Sequence, residues 1–386
     1  MFWRKNTPEN PEKIGLILSG GGARAAYQVG VLKAIADNLP KHSTNPFPVI
    51  CGTSAGAINA AALAIYSAQF REAVWRLVHV WGNFHVDQVF KADFTGISGS
   101  MTRWLTSSIM SREDSTSPVA LLDRTPLTEL LDHYLPFEQI QQSIDAGSLH
   151  GLSITASNYS TGNSVAFYQG HESIEPWVRA NRIGIQTKIS QDHLMASSAI
   201  PLIFAPQRLT DDFYGDGSMR QNAPTSPALH MGADKLFVVG VKHEAPFTAL
   251  DKRATGFPTL GEIAGHVLDS IFLDNVSMDL ERLERINKTF SQIPDKHHPE
   301  DSVTMRKVDL LFISPSKDLY SIAEKHTDLM PRSVRLLMKG IGASTNLISY
   351  LLFEKAYCRE LIALGYSDTM ERKEEVLEFM GIESTS

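Results

Sequence analysis

Two cysteines, Cys51 and Cys358, are all that this chain of 386 residues contains, and they stand far apart in sequence. That scarcity removes a disulfide scaffold and a C-x-x-C metal site, and it fits a reducing, cytoplasmic compartment. Dense cationic blocks are absent as well. With 36 basic against 43 acidic side chains the net charge is −7, which argues against holding a phosphate backbone, so nucleic acid is not an expected partner. The opening residues, MFWRKNTPENPEK, lack the apolar core of a secretory signal. A long uninterrupted apolar run is missing too. Ser43 to Phe70 has no charged or histidine residue, but Pro46, Pro48, Gly52, Gly56 and Asn59 break it, so it reads as buried strand, tight turn and packed helix rather than a membrane span.

What is present is enough apolar content, 43%, for a substantial core in one large domain or two smaller ones. Ile14 to Leu18 reads as a strand, then come three glycines, then a helix from Ala23 to about Asn38. Phe47 to Thr53 repeats the pattern as a buried strand, followed by a small-residue helix from Ala55 to about Gln69. Two successive strand-helix units favour a parallel sheet covered on both faces. Leu152 to Ser157, Ser164 to Gln169, Lys235 to Lys242 and Val308 to Pro315 are further strands, which predicts a sheet of about five or six. Thr95 to Ser117 has no strong period and reads as a connecting loop or a cover over a site. Thr259 and Glu262 form a capping box before Leu260, Ile263, Val267, Ile271 and Phe272 at helical spacing. Val334 to about Leu364 reads as one long helix. The expected division is a tail over 1–12, a main domain over 13–250 and a mainly helical extension over 251–386.

Three glycines at Gly20, Gly21 and Gly22 mark a place where the main chain itself makes contact. A phosphate loop needs a following Gly-Lys-Ser/Thr triplet, which is missing. A dinucleotide fingerprint fits Gly20, Gly22 and Ala25, but the second strand ends in VICGTSAG where that site requires an acid. In place of the acid stands Gly52 to Gly56, a G-x-S-x-G sequence between an apolar strand and a helix. Such a turn presents the Ser54 hydroxyl outward, with Gly52 and Gly56 letting strand and helix approach. If the first two strands are parallel neighbours, the glycine amides face Ser54 and make an oxyanion hole. Arg24 then braces the loop, attracts an anionic head group, or is a solvated residue at a helix start.

A serine nucleophile needs a base. Asp216, bracketed by Gly215 and Gly217, is one candidate, and His243 beyond the apolar strand KLFVVGV is the other; Ser54, Asp216 and His243 would follow the triad order of α/β-hydrolases. The loop SGGGARAAYQVG, GTSAG, ASSAIPLIFAP (Ala196 to Pro206), DGS and NAP (Asn222 to Pro224), in this order, resemble the patatin-like phospholipases over about Lys13 to His243. Two positions depart from that pattern: Ala25 stands where glycine is common, and Ser218 where glycine or alanine usually follows Asp-Gly.

The resemblance implies a three-layer α/β/α domain with a mainly parallel central sheet, Ser54 as nucleophile, Asp216 as its only catalytic partner, and Gly20, Gly21 and Gly22 as oxyanion hole. It implies a lipid acyl hydrolase acting on phospholipid or lysophospholipid, with no cofactor and no metal. Contact with a membrane surface, through Thr95 to Ser117 or the late helices, is a further expectation. The competing readings are a Ser54-Asp216-His243 carboxylesterase and an inert membrane-surface adaptor. Cys51 reads as a small buried hydrophobe, His193 as a surface or satisfied core histidine, Asp211 and Asp212 as part of the approaching loop, and His297, His298, Glu300 and Asp301 as a solvated loop.

Overall fold

Alternation along the first two strands decides how the layers form. In β1 (Ile14–Leu18), Leu16 and Leu18 point to one face while Ile17 points to the other, and in β2 (Val49–Thr53) Ile50 opposes Val49 and Cys51 in the same way. Every residue of both strands is buried. Side chains of period two buried on both faces require helices above and below, which is why the runs read as continuously apolar.

The computed structural model describes residues 12–91, 120–201, 203–244, 257, 270, 275–292, 306–340 and 345–382. One face of β1 and β2 is covered by α1 (Ala26–Asn38), α2 (Ala55–Ile65) and α3 (Phe70–Trp81). The remaining strands are β3 (Gly151–Asn158), β4 (Ser164–Gly170), β5 (Trp177–Arg179), β6 (Arg182–Gln186), β7 (Gln207–Leu209), β8 (Asp212–Asp216), β9 (Lys235–Val239) and β10 (Asp309–Ile313). Helix α4 (Gln191–Ser197) precedes β7, and α5 (Ser226–His230) and α6 (Asn275–Phe290) cover the other face through Ala228, Leu280 and Leu283. The order β10-β9-β1-β2-β3 is parallel throughout, β4 and β8 join β3 antiparallel, β6 lies parallel to β4, and β5 and β7 close the edges antiparallel. This is a mixed, mostly parallel sheet flanked by helices.

All six strands read from the sequence form. The expected count of five or six was nevertheless too low, because among the described residues ten strands join the sheet. The four additional strands are three to five residues long, each carries at least one charged residue, and they exist through their pairing rather than through any apolar run.

Among its described residues the C-terminal region adds β10 to the sheet and, after it, several helices, of which α7 (Arg332–Gly340), α8 (Thr345–Leu351) and α9 (Lys355–Glu371) bear on the site. The single helix expected from Val334 to Leu364 is therefore interrupted at residues 352–354. Tertiary contacts account for the break: Phe353 packs against Trp81 and Phe84, and Glu354 accepts from the Val86 amide at 3.4 Å. Helix α9 lies on α1 with backbones nearly touching, since a Cβ added to Gly365 would meet the Tyr27 carbonyl oxygen at 2.1 Å. The Thr95–Ser117 segment, the Thr259–Glu262 capping box with its helix, the His297–Asp301 cluster and the boundary at residue 250 lie outside the described residues.

Candidate active site

The turn after β2 places Ser54 at φ 54° and ψ −128°, a left-handed conformation that a non-glycine residue adopts only when its surroundings enforce it. Two glycines make the turn sterically feasible: a Cβ on Gly52 would meet the Gly56 carbonyl oxygen at 2.5 Å, and one on Gly56 the Leu18 carbonyl oxygen at 2.3 Å. The Ser54 amide donates to Ser197 Oγ at 2.8 Å, and Ser197 Oγ donates to the Thr155 carbonyl at 2.6 Å, which ties the turn to β3 and α4.

Asp216 arrives from the opposite direction. Strand β2 ends with Thr53 paired to Thr155, and β8 takes over the same edge of β3 by pairing Asp216 with Ala156. The two strands thus run head to head. Gly217 follows so closely that an added Cβ would lie 2.1 Å from the Thr155 carbonyl oxygen. The Asp216 amide donates to the Ala199 carbonyl at 2.9 Å, and its Oδ1 accepts from the Ser218 amide at 2.9 Å.

The carboxyl of Asp216 is fully buried. Burial pushes its pKa up to about 6, against the Ser54 hydroxyl, the Ser218 amide and hydroxyl, and the Arg124 charge, all of which favour the carboxylate. Oδ2 has no hydrogen bond of normal geometry although Ser54 is near enough to be felt, so the pair is approached rather than closed. Long or poorly aligned contacts of this kind are common in sites without substrate.

The glycine loop lies against both groups. A Cβ on Gly20 would meet Ser218 Oγ at 2.5 Å and Ser54 Cβ at 3.1 Å, and one on Gly21 would meet Val241 Cγ2 at 2.6 Å. Gly22 has φ 54° and opens a short 3-10 turn over Gly22–Ala25. Among the described hydrogen bonds, none is donated by the amides of Gly20, Gly21 or Gly22. A buried polar chain supports the loop from below: Gln28 Nε2 donates to the Ser19 carbonyl at 2.7 Å, Asn59 Nδ2 to Gln28 Oε1 at 3.0 Å, and Trp81 Nε1 to Asn59 Oδ1 at 2.8 Å.

Several residues stand elsewhere. His243 donates from Nδ1 to the Pro315 carbonyl at 2.8 Å, which holds it at the exit of β10, and no histidine is among the groups that shift Asp216. Arg24 is 3% exposed and engaged with α8, so it is not a solvated helix-start residue. His193 caps α4 with Ser190, Asp212 accepts from Asn158 Nδ2 at 2.9 Å, and Cys51 is buried with its thiol pushed up by desolvation. Three residues near the pair were not singled out from sequence. Ser197 was visible only inside the ASSAIP motif; Gln221, bridging Thr53 and Thr155, carried no signal, nor did Arg124, whose guanidinium donates to the Met195 and Ala205 carbonyls.

The model of the patatin-like phospholipase family matches residues 16–229, a span containing the glycine loop, the serine turn and Asp216. The chain belongs to the patatin-like phospholipases. A cGAMP-activated phospholipase of Pseudomonas aeruginosa (strain BWHPSA011 / Pa011) is 26% identical over 326 residues, covering 79% of this chain and 84% of that protein. The human GIVD cytosolic phospholipase A2, solved in complex with methyl gamma-linolenyl fluorophosphonate, aligns with a TM-score of 0.40 at 12% identity over 96% of this chain; the alignment spans 59% of that structure's chain. As a patatin-like phospholipase the chain is a lipid hydrolase. No helix among its described residues is long and apolar enough to cross a membrane.

Proposed function

We infer that the chain hydrolyses acyl esters of phospholipids or lysophospholipids through an acyl-Ser54 intermediate, with Asp216 as the sole partner of the serine. The observation that carries this reading is the head-to-head approach of β2 and β8 along β3, which brings a strained serine and a buried carboxylate to one edge. Ser54 Oγ attacks the ester carbonyl while its proton passes to Asp216 Oδ2. The oxyanion is held by amides of Gly20, Gly21 and Gly22. Collapse breaks the ester bond, and the proton on Asp216 leaves with the glycerol-side alcohol. Water then attacks the acyl-serine, Asp216 takes its proton and returns one to Ser54 Oγ, and the fatty acid departs. A carboxylate is a weak base for this task, so its elevated pKa helps by bringing its basicity closer to neutral pH. His243 takes no part, which sets this reading apart from a triad carboxylesterase. Peripheral contact with the membrane that carries the substrate belongs to the same proposal.

The test is the initial rate on a short-chain chromogenic ester and on phospholipid and lysophospholipid vesicles. Because the Pseudomonas relative is cGAMP-activated, each assay is run with and without cGAMP. Folded Ser54→Ala and Asp216→Asn are expected to lose turnover and His243→Ala to keep it. Loss in His243→Ala would return the triad, and an inert wild type under every condition would favour the adaptor. The vesicle assay also separates phospholipase A from lysophospholipase preference, and cosedimentation with the vesicles tests membrane contact.

A further inference from the structure

Gly22 and Arg24 meet the far end of the chain. An added Cβ on Gly22 would lie 2.2 Å from the Tyr350 carbonyl oxygen, so loop and helix α8 touch through backbone. Arg24 is 3% exposed, its Nε donates to Ser349 Oγ at 2.7 Å, and its guanidinium carbon sits 4.5 Å from the centre of the Tyr350 ring. Ser349 is 0% and Tyr350 3% exposed. A buried cation is tolerated only where specific partners replace water, and these two partners both come from α8. Buried and engaged in this way, Arg24 is poorly placed to receive a lipid head group.

We propose that α8 positions the glycine loop through Arg24, Ser349 and Tyr350, so that turnover at Ser54 depends on how this C-terminal helix is seated. The proposal rests on the reading of Gly20, Gly21 and Gly22 as oxyanion donors. The physical lever is distance: such donors act only when held close to where charge develops, and a displacement near 1 Å is costly. The loop's glycines give it little stiffness of its own. Rigidity is imported from α8, whose Leu347 and Leu351 are buried in the main core and beyond whose end Phe353 stacks on Trp81. A region with no candidate catalytic group thereby acquires a task. Ser349 and Tyr350 are positioning residues.

The experiment compares wild type with Ser349→Ala, Arg24→Lys, Tyr350→Ala and Tyr350→Phe, reading kcat and KM on the chromogenic ester and hydrogen exchange of peptides covering residues 19–25. The expected result is a fall in kcat of about 10- to 100-fold for the first three with KM little changed, substantial rescue in Tyr350→Phe, and faster exchange confined to the loop while β1 stays protected. Unchanged kcat and exchange in folded variants overturns the proposal. So does exchange that quickens uniformly through β1 and α1, the mark of general destabilisation. Should Tyr350→Ala fail to fold, Ser349→Ala and Arg24→Lys decide alone. A wild type without turnover would sink the hydrolase reading, whereas the exchange pattern would still judge the positioning by α8.

Discussion

Thr53 and Asp216 stand one step apart on the same edge of β3, the first paired with Thr155 and the second with Ala156. Strand β4 occupies the opposite edge of β3, so β2 and β8 share the remaining one end to end. A parallel strand and an antiparallel one that end at the same point leave both C-termini facing a common gap. Ser54 follows the first terminus and Asp216 closes the second, which explains how residues 162 positions apart are brought together without either lying on a long loop.

Ionisation of Asp216 sets the first prediction. Since the mechanism needs the carboxylate and burial raises its pKa to about 6, kcat/KM is expected to rise with pH along a limb centred near that value. Arg124 lowers the pKa, so Arg124→Gln is expected to move the limb upward. A pH-rate profile of both proteins checks this, and a limb that stays in place would remove Arg124 from the electrostatics of the site.

The same burial has a cost in stability. A carboxyl with a folded pKa of about 6 against 3.8 in the reference state binds its proton more tightly when folded, so its stabilising contribution is full below about pH 4 and is lost as pH rises towards 6. Asp216→Asn stays neutral and is expected to be more stable than wild type at pH 8, by up to about 3 kcal/mol, with the gain shrinking towards pH 4. Denaturant unfolding at the two pH values measures it. Equal stability at pH 8 would mean that water or movement solvates the carboxylate.

Much of this arrangement was legible in the sequence because it rests on local signals. Glycines at Gly20 to Gly22 and around Ser54, each beside an apolar run, announce strand-turn-helix units, and Asp216 announces itself through its flanking glycines. The short strands β5 to β8 were not legible. Arg182 to Gln186 and Asp212 to Asp216 are short, begin and end on charged or polar residues, and become strands by finding β4 and β3. Arg24 could be placed at the loop but its partners could not, since Ser349 lies 325 positions away and nothing about a buried serine foretells an arginine. The break in the C-terminal helix at residues 352–354 follows from Phe353 seeking Trp81, again a contact that no periodicity encodes.

Helix α9 tests how closely the C-terminal region is fitted to α1. Within a helix, alanine is favoured over glycine by about 1 kcal/mol, so Gly365→Ala would be stabilising on propensity alone. Its methyl would instead meet the Tyr27 carbonyl oxygen at 2.1 Å, a backbone atom that moves only with the whole helix. Overpacking of this kind costs about 1–3 kcal/mol or more, and the clash is expected to win. A lowered denaturation midpoint is the expected reading; a raised one would show that α9 shifts freely.

Backbone strain at Ser54 separates two substitutions that are alike in chemistry. Both Ser54→Ala and Ser54→Gly delete the hydroxyl and are expected to abolish turnover. At φ 54° and ψ −128° alanine keeps the steric penalty of a Cβ whereas glycine sheds it. Strained residues of this sort store about 1–3 kcal/mol, so Ser54→Gly is expected to unfold at a higher denaturant concentration than Ser54→Ala, with wild type near the alanine variant. Glycine also enlarges the conformational freedom of the unfolded chain, which offsets roughly 0.4–1 kcal/mol of the gain. The difference between the two variants is therefore the net of strain released and entropy added. A glycine variant less stable than the alanine one would show that the turn holds Ser54 without appreciable strain, and that the conformation reflects the Ser197 hydrogen bond and close packing of α2 on β2 rather than a conformation enforced against the preference of the residue.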